Sequence, residues 1–309
     1  MVQHRAARAA AGSSGAKFLD PDVLARIDNL ELLARTVVDG FLNGLHRSPY
    51  LGLSLDFAEH RPYMPGDDIR RIDWRLFART DRHYIKLYEA ETNANFTVVL
   101  DVSRSMDYGS HTLTKLDYAR YLAACLTYFS RQQRDRVGLV TFDHDIVDFV
   151  PPSAKNLDLC LHTLDRIDPG RPGSLGPAML KVAESLRRKG ILVVLSDLYE
   201  ETEDALHAIR LLAGRGHDVI VFHVLDPDEM DFPFEAASSF EDMESGERIP
   251  VIPTKLREGY QQLLREHIRE LEERLLASRI DYVLLNTAEP LDHALFRYLL
   301  IREKRSRVR

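Results

Sequence analysis

The residues best suited to do chemistry lie in one short stretch, Phe96-Thr-Val-Val-Leu-Asp101-Val-Ser103-Arg-Ser105-Met106. A run of β-prone residues leads into an aspartate, and serines follow two and four positions later. One carboxylate and two hydroxyls are hard oxygen donors, and on one tight loop they suit Mg²⁺ or Mn²⁺ far better than zinc or copper. The apolar run before them reads as a strand buried on both faces, as in a parallel sheet. Asp101, Ser103 and Ser105 then fall at the carboxyl end of that strand, where open α/β sheets bind their ligands.

Other constellations are absent or weaker. The twelve histidines show no zinc-site spacing. No Gly-x-x-x-x-Gly-Lys phosphate loop and no Gly-x-Ser-x-Gly elbow occurs. His223 sits in an apolar strand pattern and reads as a core residue. A strand-end aspartate with Mg²⁺ also describes a phosphohydrolase that uses Asp101 as nucleophile. That chemistry needs a second acid two residues on, where this chain has Ser103. A metal-free scaffold is the third reading, in which the Asp and Ser residues serve only as turn and cap formers.

Asp101-x-Ser103-x-Ser105 after a buried strand resembles the metal-ion-dependent adhesion site of von Willebrand factor A domains. Upstream, Arg61-Pro-Tyr-Met-Pro-Gly-Asp-Asp-Ile-Arg-Arg-Ile-Asp-Trp74 resembles the signature of the bacterial domain-of-unknown-function family 58. The first resemblance implies a Thr or Ser from a second loop and an Asp from a third. Pro172-Gly-Ser174-Leu-Gly-Pro-Ala-Met179 fits the second, with Ser174 where Thr is usual: the hydroxyl is kept and the β-branch that stiffens χ1 is lost. Val194-Leu-Ser196-Asp197-Leu fits the third. The implied ligand set is Ser103 and Ser105 directly, with Asp101, Ser174 and Asp197 direct or through water. Ser196 and Asp107 would support them by hydrogen bonds. One coordination position is left for a carboxylate from a partner protein. Kinship further implies a non-enzymatic interaction module whose partner is a MoxR-type AAA+ ATPase, acting in assembly or maturation of other proteins.

The upstream motif carries its own cluster of charges. Asp68, Arg70, Asp73 and Arg79 read as a salt-bridge lattice that pins the N-terminal segment to the sheet, and the adjacent carboxylates of Asp67 and Asp68 could also bind a cation, though nothing else in the sequence supports that. The functional alternative is a docking surface anchored by Trp74.

Composition sets bounds on these readings. The 309 residues are 45% hydrophobic and 29% charged, ordinary for a globular chain, and the net charge is −7. That sign argues against nucleic acid as the main partner. Cys125 and Cys160 fall in apolar helical patterns, as small core residues of a reducing compartment do. Met1 to Lys17 has no apolar core of a signal peptide, and no stretch reaches the roughly 20 apolar residues of a membrane span. A cytoplasmic protein is expected.

The elements that must position the site follow from periodicity. Residues 1–18 are expected to be a disordered tail. Asp20-Pro21 opens a helical pattern that continues through Val37 with a break near Asn29. Gly40 to Asn95 reads as strands and loops, with alternating runs at 51–57 and 83–88, so that 19–94 forms an N-terminal helical and β extension. From 95 to 303 strands alternate with helices. This predicts an α/β fold with a doubly wound, mainly parallel sheet flanked by helices, Rossmann-type and von Willebrand factor A-like. Residues 226–253 interrupt the alternation as an edge insertion, in which Phe240 to Val251, with Ser245-Gly246 inside, reads as a hairpin on the sheet edge, and 304–309 form a basic tail.

Overall fold

Apolar β-branched runs at the predicted places do form the centre of the molecule. In the computed structural model, which describes residues 24, 27, 29–47, 59–64, 74–80, 82–87, 94–236, 238–243 and 246–306, a six-stranded sheet is built from β3 (Asn95–Asp101), β4 (Arg136–Phe142), β5 (Ile146–Ser153), β6 (Ile191–Ser196), β7 (Asp218–Leu225) and β10 (Asp281–Asn286). Across the sheet the order is β10-β7-β6-β3-β4-β5. Every pairing is parallel except β4 with β5, which forms an antiparallel edge. Counted within the sheet this is the 3-2-1-4-5-6 order of doubly wound folds.

Helices cover both faces. Along β3, Phe96, Val98 and Leu100 face a cluster that includes α1 (Leu30–Arg47), α3 (Lys115–Gln132), α4 (Leu157–Asp165) and α9 (Leu291–Ser306). Val99 faces the other way, toward α5 (Leu175–Ser185), α6 (Thr202–Gly214) and α8 (Pro253–Ala277). This two-sided burial is why the central strands lack polar alternation. α3 starts sharply because Thr114 and Asp117 form a reciprocal capping box.

Several expectations change in detail. α1 begins after Asn29, whose Oδ1 accepts the Leu32 N–H at 2.8 Å, as the predicted break requires. It runs on through Gly40 to Arg47, however, because buried Val37, Val38 and Phe41 belong to the same core as α3. Trp74–Thr80, read as strand or loop, is a helix (α2): seven residues without Gly or Pro suffice for two turns. β1 (Glu59–Pro62) pairs antiparallel with β2 (Tyr84–Leu87), inside the expected 83–88 run. The expected strand at 51–57, the tail at 1–18, the helix start at Asp20-Pro21 and residues 307–309 of the basic tail lie outside the described residues.

Within 226–253 a short helix, α7 (Pro227–Asp231), precedes the hairpin of β8 (Ser238–Glu241) and β9 (Arg248–Val251). The hairpin forms its own two-stranded sheet and does not extend the six-stranded one. Aromatic contact holds it instead: Phe240 stacks on Phe232 with centroids 5.5 Å apart, and Phe232 meets Tyr260 of α8 at 4.7 Å.

Cys125 and Cys160 are free and buried, and burial raises both thiols, that of Cys160 to about 12. Neither is a thiolate at neutral pH. Native protein should therefore resist aromatic disulfide reagents and react at both cysteines once unfolded in denaturant; labelling at unfolded-chain rates in buffer would refute the packing. Leu122, fully buried in α3, should cost about 2–5 kcal/mol as Leu122→Ala in urea unfolding.

Candidate metal centre

Asp101 is the last residue of β3 and is 3% exposed. Its Oδ1 accepts the Ser103 backbone N–H at 2.9 Å, so the carboxylate folds its own loop. Its Oδ2 accepts the Ser196 hydroxyl at 2.6 Å. Beyond it a single 3₁₀ turn, Arg104–Asp107, brings the Ser103 and Ser105 hydroxyls within 3.1 Å of each other. Val102 and Met106, both buried, anchor the turn from below. The two serines of the motif thus place their oxygens side by side.

The second loop is strapped over the first. The Gly170 N–H donates to the Val102 carbonyl at 2.6 Å, and the Arg104 N–H to the Arg171 carbonyl at 3.2 Å. A Cβ on Gly173 would stand 2.5 Å from Ser103 Cβ, so only glycine permits this approach. Ser174 follows as the N-cap of α5 in extended conformation, its N–H donating to the Asp143 carbonyl at 3.3 Å. Its side chain does not cap the helix. Glu200 takes that role, accepting the Leu175 N–H, and is hydrogen-bonded to Ser174 as well.

The third loop is buckled to the first through Ser196, whose hydroxyl donates to Asp101 and accepts the Leu198 N–H at 3.0 Å. Leu198 is left-handed, φ +50°, an uncommon conformation for a side chain that size, and it is fully buried. Asp197 is 2% exposed. Its Oδ1 accepts the Tyr199 N–H at 3.4 Å, and its Oδ2 accepts from the Lys115 ammonium at 2.8 Å. Lys115 has no exposed surface; it also donates to Glu229 at 2.7 Å and lies 4.7 Å from the Tyr199 ring centroid.

The electrostatics are uneven. Burial, then the neighbouring Asp197, push the Asp101 carboxyl up to about 7, against the lowering hydrogen bonds from Ser103 and Ser196. Burial works against the Lys115 charge, but Asp197 and Glu229 outweigh it and hold the amine protonated. Asp197 therefore has a cation beside it, and among the described residues Asp101 is ion-paired with none. A carboxylate so placed gains most from a hard cation nearby. Among the described residues no cluster of three or more His, Cys, Asp or Glu could hold a metal. The oxygens gathered here are carboxylates and hydroxyls, a donor type that suits Mg²⁺ or Mn²⁺ better than zinc or copper. Asp101, Ser103 and Ser105 suit direct contact, whereas Asp197 has one oxygen committed to Lys115.

Of the expected site residues, then, Asp101, Ser103, Ser105, Ser174 and Asp197 all come from loops tied to one another by named bonds. Ser196 supports Asp101 as expected. Asp107 is exposed and bonds to none of these side chains among the described residues. Trp74 is 59% exposed and meets Phe77 edge-on at 6.1 Å. Asp67, Asp68, Arg70 and Asp73 lie outside the described residues. Lys115, Glu200 and Glu229 escaped the sequence reading. For Lys115 a signal existed: a lysine at the first position of a helix has the wrong sign for the helix dipole, so its charge is needed elsewhere. For Glu229 it was Asp226-Pro227-Asp228-Glu229, a capping box with proline at the first helical position.

The family described as "Protein of unknown function DUF58" matches residues 59–270. The chain is 29% identical over 232 residues to the uncharacterized protein Rv1480 of Mycobacterium tuberculosis, covering 74% of this chain and 73% of that one. Among solved structures, it is similar to the conserved hypothetical protein BatB from Bacteroides thetaiotaomicron, at 21% identity and a TM-score of 0.46 over 68% of this chain and 99% of that one. It is also similar to the SpRpn10 VWA domain, at 11% identity and a TM-score of 0.38 over 65% and 94%.

Two substitutions test the geometry. Gly173→Ala forces the loops apart and should cost about 1–3 kcal/mol in denaturant unfolding; an unchanged midpoint would mean the loops are not strapped as described. Lys115→Met leaves Asp197 and Glu229 buried without their cation and should cost about 3–5 kcal/mol by the same measurement.

Proposed function

The chain belongs to the DUF58 family, and from that premise we propose that it is a protein-interaction module that grips a carboxylate of its partner through Mg²⁺ held at the Asp101 loop. One observation carries the reading: hard oxygens of Asp101, Ser103 and Ser105 meet at the rim of a parallel sheet, with the loops of Ser174 and Asp197 bonded against them. Mg²⁺ in this set would supply a Lewis-acidic position open to an incoming carboxylate. The protein's own part is to fix the three loops, exclude water beneath them and hold Asp197 through Lys115. Family kinship supports a MoxR-type AAA+ ATPase as the partner, with a role in assembly or maturation of other proteins. Among the described residues no helix is long and apolar enough to cross a membrane.

Hydrolysis by Asp101 is the weaker reading. The position two residues on is a hydroxyl, and its hydrogen-bond partner is another serine, so no acid stands ready to protonate a leaving group there.

Calorimetric titration with Mg²⁺ should give one saturable site that is lost in Asp101→Asn and in Ser103→Ala/Ser105→Ala. Lys115→Met should bind Mg²⁺ more tightly than the parent, since a cation competing for Asp197 is gone. Capture of a purified MoxR-type ATPase should need Mg²⁺ and fail in EDTA. Capture indifferent to EDTA and to Asp101→Ala would establish the metal-free scaffold instead. Mg²⁺-dependent turnover of an aryl phosphate, abolished by Asp101→Asn, would establish the hydrolase.

A further inference from the structure

At the opposite end of the sheet from the metal loops, the strands begin beside a concentration of arginine. A cavity of about 270 Å³ is bounded there by Arg136 at the start of β4 and by Arg187 and Arg188 just beyond α5. Its apolar wall is Phe149 and Pro151 of β5 together with Leu186. All three arginines are exposed, and among the described residues none is ion-paired or hydrogen-bonded through its side chain. Three neighbouring unpaired guanidiniums on a chain of net charge −7 are a local reversal of sign, and nothing in the fold needs it.

The apolar side of the cavity is also unpartnered. β5 is the outer strand of the sheet, and Val147 and Phe149, two residues apart and so on one face, are 53% and 41% exposed. The strand then meets Pro151 and Pro152, which have no N–H to offer. The register against β4 shifts between Val137 and Leu139, where a Cβ on Gly138 would stand 2.8 Å from Pro152 N. Such an edge resists the addition of another strand. A ligand must lie over the face of the strand, between the apolar wall and the arginines.

We propose that this cavity is a second binding site, whose occupant is an acidic segment of a protein partner: an apolar side chain seated against Phe149, Pro151 and Leu186, and flanking carboxylates held by Arg136, Arg187 and Arg188. Guanidinium forks match carboxylates in geometry as well as charge. The cavity is open and its arginines face water, where a single small anion is screened and gains little. A chain segment engages several arginines and the apolar wall at once. The site is independent of the metal loops and of the function proposed for them.

The test is fluorescence anisotropy with a short labelled peptide of alternating glutamate and leucine, and with its lysine–leucine counterpart, on the full chain. The acidic peptide should bind saturably and the basic one should not. Affinity should fall roughly tenfold in Arg187→Glu/Arg188→Glu and in Arg136→Glu, and by a similar factor in Phe149→Asp, which repels both the apolar residue and the acids. Each variant should keep the parent's melting temperature, and Phe149→Ser checks the apolar wall without adding charge. Binding unaffected by these changes, equal binding of the basic peptide, or full displacement by inorganic phosphate at moderate concentration would overturn the proposal, the last in favour of a small-anion site.

Discussion

Lys115 carries a full positive charge into a place with no access to water, and the shape of the site depends on where that charge is answered. Two carboxylates answer it, Asp197 from the loop after β6 and Glu229 from α7, at 2.8 and 2.7 Å. Burying an ion pair rarely stabilises a fold more than apolar packing would, because desolvation consumes most of the attraction. What such a pair does fix is relative position. Here it fixes three elements: the start of α3, the loop after β6, and the insertion that begins at Asp226. The same junction is tightened by Asp226, fully buried, which accepts both the backbone and the hydroxyl of Ser110. The loop before α3 is thus held to the insertion on one side and to the Asp197 loop on the other.

The strand order explains why the chemistry collects at this rim and no other. β3 lies between β4 and β6, and the chain leaves it toward one face of the sheet and returns along the other, so the loops after β3 and β6 diverge and leave a crevice between them. Ser196 closes the floor of that crevice by bonding to Asp101. The loop of Gly173 closes its side. What remains at the top is a set of hydroxyl and carboxylate oxygens. Hard oxygens gathered in this way are the donor type that Mg²⁺ and Mn²⁺ prefer.

Much of this was legible in the residues. Apolar runs such as Ile191-Leu-Val-Val-Leu195, short and rich in β-branched residues, read as strands buried on both faces, and Asp101, Ser103 and Ser105 follow another such run at the spacing of a loop. Asp197 was legible because it ends such a run. Its charge partner was not, since Lys115 lies 82 positions away and only the folded sheet brings them together. Gly173 is a similar case: nothing in its neighbours tells that a Cβ there would strike Ser103. α2 was missed for a different reason. A helix of two turns gives too little periodicity to stand out between stretches rich in glycine, proline and charge. The hairpin forms a sheet of its own, and its aromatic contacts with α7 and α8 leave no pattern in strand alternation.

The arginine cavity and the Asp101 loop sit at the two ends of the same strands. β3 runs seven residues from Asn95 to Asp101, so at about 3.3 Å per residue its ends lie roughly 20 Å apart. That separation exceeds the Debye length of about 8 Å at physiological salt, so charge arriving at one end is screened from the other through solvent. No small ligand spans it either. Any influence of one site on the other must travel through β3 and β4, whose close packing resists gradual deformation. The sheet therefore acts as a rigid spacer, and a partner that engaged both ends would do so by its own length, adding two independent contacts through one chain.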